Sequence, residues 1–190
     1  MILDVNGTIM FCSGTMGAGK IPPEENKERS VQQQSTKAKM QFRYKAVLLL
    51  FILYLLYLLY LTLFSPFFGR GYFRRSVNFV PLRTVQQYMS GNLPIWIAIV
   101  NLLGNVAAFM PMGFLLPMVW KKAAGLGKCL LICAGVSFII EAAQYVFGVG
   151  SADIDDLLLN TVGGLAGYAF YALADLMYKK LIRHAGKQAS

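Results

Sequence analysis

Four stretches of this chain are almost wholly apolar, and short polar or basic segments separate them. Residues 46–64 are nearly unbroken Leu, Ile, Tyr and Phe, with no charge. Residues 95–120, 129–148 and 157–178 follow, each near the ~20 apolar residues that carry a helix across a bilayer. The pattern predicts an all-α polytopic membrane bundle of about four transmembrane helices, spanning residues 40–180. Pro111 and Pro117 lie inside the second crossing. A helix-interior proline removes a backbone hydrogen bond, so a kink or break is expected near Met110-Pro111.

The first apolar run follows Lys37, Lys39, Arg43 and Lys45 and ends in Phe64-Ser65-Pro66, as an uncleaved signal anchor does. Residues 1–39 differ in kind. Glu24 to Thr36 is polar and Gln-rich and reads as a disordered arm. Met40 directly precedes the basic flank, so the start falls at either Met1 or Met40. Gly14 to Lys20 has the outline G-x-x-x-x-G-K of a phosphate loop. The position that needs Ser or Thr for magnesium is Ile21, and Pro22-Pro23 follow, so nucleotide binding is not expected.

Composition supports the membrane reading. The chain has 190 residues, 56% of them hydrophobic, a mean hydropathy of +0.52 and only 14% charged. The net charge of +9 does not indicate nucleic acid, because the cations flank the apolar runs and form no stripe interleaved with aromatics. Lys121, Lys122 and Lys128, with the basic tail at 181–190 and Lys179 and Lys180 before it, fall on one side of a four-crossing arrangement. The positive-inside bias then places both termini in the cytoplasm. Arg70, Arg74, Arg75 and Arg83, after the first crossing, run against that rule. Three cysteines give no disulfide framework, and Cys129 and Cys133 read as small buried hydrophobes.

Acid and amide groups within the apolar runs are costly in hydrocarbon and are therefore candidates for function. Asn101 and Asn105 share one face of the second crossing, and Glu141 and Gln144 one face of the third. Asp153, Asp155 and Asp156 gather at the head of the fourth crossing, with Asn160 one turn inside. All of these fall toward the same, extracytoplasmic, end. Arg74, Arg75 and Arg83 would overhang the opening. Asp153 could equally cap the helix, and the asparagines could be interhelical glue. Gly163 and Gly167 form a small-xxx-small pair for close helix approach. If a metal binds, Asp153, Asp155, Asp156 and Glu141 would hold magnesium or calcium. No cofactor is otherwise expected, and no residue is assigned a catalytic role.

The ordered set Asn101-Leu-Leu-Gly104-Asn105, Phe109-Met-Pro111-Met-Gly113, Glu141-Ala-Ala-Gln144 and Asp153-Ile-Asp155-Asp156-Leu-Leu-Leu-Asn160-Thr161-Val-Gly163-Gly164 resembles the VanZ-like family. Asn78-Phe-Val-Pro81-Leu-Arg83-Thr84 resembles its short motif after the first crossing, with Leu82 where Phe is common. The likeness covers residues 40–178. Some relatives carry Arg just before the aspartates, where this chain has Gly150. The resemblance implies a small multi-pass protein of the bacterial cell membrane, associated with teicoplanin tolerance. Three activities fit it. The first is a non-enzymatic envelope factor whose polar cluster binds an anionic envelope lipid or peptidoglycan precursor. The second is a metal-dependent enzyme or carrier for a lipid phosphate, and the third a small ion-coupled permease. A homo-oligomer would suit the last.

Overall fold

The computed structural model describes residues 2–3, 9–10, 23–64, 77–83, 86, 90 and 95–188. The chain divides into two compact units, Met1–Phe42 and Arg43–Ser190. In the first, strands β1 (Ile2–Leu3) and β2 (Ile9–Met10) pair antiparallel, with Ile2 opposite Met10. The outline Gly14–Lys20 lies outside the described residues.

Among the described residues there are four long helices: α1 (Pro23–Leu63), α2 (Ile95–Val119), α3 (Leu126–Phe147) and α4 (Ile154–Gln188). All four are long and apolar enough to cross a membrane. The chain is thus a helical membrane protein, as the run lengths predict. Residues 23–39, expected to be disordered, are instead the start of α1. Pro23 presets the first helical φ, and the Gln-, Lys- and Glu-rich stretch that follows is made of good helix formers. Of the kink or break expected near Met110-Pro111, a break is excluded, since α2 runs continuously through both prolines. The chain reverses later, through a short 3-10 turn at Lys121–Ala123.

Pro117 has no N–H to offer the Gly113 carbonyl four residues back. The Cys129 thiol of α3 donates to that carbonyl at 3.8 Å. A side chain on the next helix thereby takes the place of the lost backbone donor. Cys129 and Cys133 are fully buried in a core with Phe109, Met112, Leu116 and Ile140, which Leu58 of α1 also enters. The Tyr54 hydroxyl, a turn before Leu58, donates to the Ala108 carbonyl of α2 at 2.7 Å.

Helices α2 and α4 approach most closely. A Cβ on Gly163 would strike the Val106 carbonyl, one on Gly167 the Met110 carbonyl, and one on Gly113 the Gly164 carbonyl. A Cβ on Gly164 would meet the Cys133 thiol at 2.7 Å. These glycines let backbone rest on backbone, the close packing that the Gly163/Gly167 spacing predicts. By contrast, Gly135 on α3 has open space around it.

Candidate functional site

Helix α3 stops at Gly148, whose φ of 68° is left-handed and suits glycine. Val149 N–H donates back to the Gln144 carbonyl at 3.0 Å, turning the chain toward the head of α4. There Asp153 acts as the N-cap, its Oδ1 accepting the Asp155 N–H at 2.9 Å. Asp155 and Asp156 follow in the first turn, where carboxylates complement the positive end of the helix dipole. The capping alternative for Asp153 therefore describes its geometry well, but it is only part of what these acids do.

The segment after α1 folds onto this turn. Strand β3 (Val77–Asn78) pairs in parallel with β4 (Ala152–Asp153), placing Val77 beside Ala152 and Asn78 beside Asp153. The Asn78 amide donates to Asp153 Oδ1 at 3.0 Å, and its own Oδ1 accepts the Val80 N–H at 3.2 Å. Leu82 N–H donates to Asp155 Oδ1 at 2.5 Å. Leu82 has φ 62°, a left-handed conformation costing about 1–2 kcal/mol for a residue with a Cβ. The carboxylate bond is what opposes that cost. Arg83 follows at once and is exposed.

The other acids and amides lock the helices beneath. Asn105 of α2 donates from Nδ2 to Asp156 Oδ1 of α4 at 2.6 Å. Glu141 of α3 is only 6% exposed, and its Oε2 accepts the Asp153 N–H at 3.0 Å. Asn101 lies one turn from Asn105 on α2 and is half-buried. Gln144 turns elsewhere, its Nε2 donating at 2.9 Å to the Thr62 carbonyl, one of the last of α1. Helix-end carbonyls lack intrahelical donors, so this bond satisfies one and ties α1 to α3. Asn160 sits one turn deeper, with Nδ2 on the buried Ser137 hydroxyl at 2.9 Å. Its Oδ1 is buried and has no hydrogen-bond partner among the described residues.

Separate spans thus bring Asn105, Glu141, Asp153, Asp155 and Asp156 together at one end of the bundle. Asn160 makes its bond below them, and Gln144 serves α1. Arg70, Arg74 and Arg75 lie outside the described residues. Among the described residues, no three His, Cys, Asp or Glu side chains group as a metal site requires. Two participants were not singled out from the sequence as site residues: Asn78 and the backbone N–H of Leu82. The short Asn78–Thr84 motif was their only visible signal. Arranged this way, Asp153 and Asp155 act as acceptors that hold the 77–83 segment at the head of α4.

The comparisons agree with this architecture. The VanZ/LLP1 family profile matches residues 51–175, which takes in the core, the clamped segment and all of the glycine contacts. The chain is 32% identical over 114 residues to Protein VanZ of Enterococcus faecium. That match covers 59% of this chain and 63% of the relative, so it spans less than two thirds of that protein's length. No solved structure gives a significant match. With the family profile covering most of the chain, this protein belongs to the VanZ/LLP1 family.

Proposed function

We propose that the protein is a non-enzymatic factor of the bacterial cell envelope that contributes to teicoplanin tolerance. In this reading it presents Arg83 to the phosphate or carboxylate of an anionic envelope lipid or peptidoglycan precursor. The observation that carries it is the carboxylate clamp on the Arg83 segment: Asp153 holds Asn78, and Asp155 holds Leu82. A guanidinium recognises phosphate and carboxylate bidentately, and fixing the backbone beside it reduces the ordering cost of binding. Glu141 supports the same reading, because a buried carboxylate accepting a backbone N–H behaves as a fixed strut rather than a mobile base.

The charge distribution supports an orientation. Lys121, Lys122 and Lys128 are exposed on the turn before α3 and near its start, and Lys179, Lys180 and Arg183 are exposed near the end of α4. The acids cluster at the opposite ends of α3 and α4. The positive-inside bias puts that acidic end outside and both termini in the cytoplasm. Arg83 then faces the compartment where glycopeptides act.

Binding to a lipid-linked peptidoglycan precursor in nanodiscs tests the proposal, with wild type set against Arg83→Gln. The substitution should weaken binding about tenfold or more, the scale of one charge-assisted contact. It should also lower teicoplanin tolerance in cells that express the protein. Equal binding and equal tolerance, with both proteins folded, would overturn the reading.

A further inference from the structure

Helix α4 is longer than a crossing needs. Its 35 residues span roughly 52 Å at 1.5 Å each, against a hydrocarbon core of about 30 Å. The excess lies at the C-terminal end. The Tyr168 hydroxyl reaches the Ala124 carbonyl at 2.8 Å, which places the turn between α2 and α3 beside the middle of α4. The helix then continues to Gln188.

From Met177 the extension is two-sided. Met177, Tyr178, Leu181 and Ile182 fall within one arc of the helix, and Lys179, Lys180, Arg183 and His184 fall opposite. All are exposed; Leu181 is 70% so. Asp175 pairs with Lys179 at 2.6 Å just where the helix changes character. A helix that simply ended in water would gain nothing from an uncovered apolar stripe. A basic amphipathic helix fits a membrane surface.

The geometry points to an interfacial arm: the end of α4, from Met177, binds the surface of an anionic bilayer. Over-long membrane helices tilt, and tilting brings one side of the extension against the leaflet it leaves. Met177, Tyr178, Leu181 and Ile182 then sit at the acyl–headgroup boundary, while Lys180, Arg183 and the partly neutralised Lys179 lie among the phosphates. Charge complementarity selects the occupant. Each cation near an anionic surface strengthens attachment by about fivefold. The inference is independent of the role given to Arg83, which lies at the other end of the bundle.

The test uses the full chain carrying an environment-sensitive fluorophore at Leu181→Cys, with Cys12→Ser so that the buried Cys129 and Cys133 are the other cysteines present. It is reconstituted into nanodiscs of phosphatidylcholine alone or mixed with phosphatidylglycerol. With phosphatidylglycerol, the emission should shift to the blue and acrylamide quenching should fall. Lys179→Gln/Lys180→Gln/Arg183→Gln should abolish that difference, and high salt should reduce it. A label equally open to acrylamide in both nanodiscs overturns the inference. So does a label shielded equally in phosphatidylcholine and in the triple variant, which would mean that protein covers the stripe.

Discussion

Replacing Asp155 tests the clamp directly. Asp155 is 2% exposed and accepts the Leu82 N–H at 2.5 Å, while Leu82 is held at φ 62°. A hydrogen bond to a charged group contributes about 1.5–3 kcal/mol. The left-handed conformation costs Leu about 1–2 kcal/mol. These nearly balance, so without the carboxylate Leu82 has no reason to stay at positive φ. Asp155→Ala should therefore free the Leu82 end of the 77–83 segment, leaving the Asn78–Asp153 pairing and the helices in place. At about 1.4 kcal/mol per tenfold, the Leu82 amide should exchange with solvent about 10- to 150-fold faster. Asp155→Asn keeps an acceptor oxygen but loses its charge, and should show a smaller increase of about fivefold. Amide hydrogen exchange in nanodiscs reads both, with the α2 and α3 amides as the internal control. An unchanged Leu82 rate in a folded Asp155→Ala protein would refute the clamp and the proposal built on it.

Two further outcomes follow from packing and from buried polar groups. Gly167→Ala drives a methyl into the Met110 carbonyl, forcing α2 and α4 apart at a cost of about 1–3 kcal/mol. Gly135→Ala, in open space, should be neutral or slightly stabilising by detergent titration, so equal loss in both variants would contradict the glycine contacts. Ser137→Ala leaves the Asn160 amide without its acceptor and should cost about 1–3 kcal/mol. Ser137→Ala/Asn160→Leu also removes the unpaired Asn160 oxygen and should recover most of that loss in the same titration. A double variant less stable than Ser137→Ala would show that Asn160 does more than bond Ser137.

Much of this was legible in the chain because the signals are local. A membrane crossing announces itself by about twenty apolar residues in a row, since lipid offers the backbone no hydrogen-bond partners. Gly163 and Gly167 show their packing role by spacing alone. Helical phase also groups Asn101 with Asn105 and Glu141 with Gln144. One local reading misled: polar composition hid the helix at 23–39, which Pro23 and good helix formers begin.

The sequence by itself determined that this is a helical membrane protein, where its spans run, and that its costly polar groups gather toward one end. Only the tertiary structure decided their partners. Nothing periodic shows that Asn78 pairs with Asp153 across 75 positions, or that Gln144 serves Thr62 rather than the acids. Pairing at such range depends on how the segments between helices turn and on where helices already in contact allow a side chain to reach. Hydropathy records only the environment of each residue. Which donor meets which carboxylate is set by the assembled bundle, and with it the placement of Arg83.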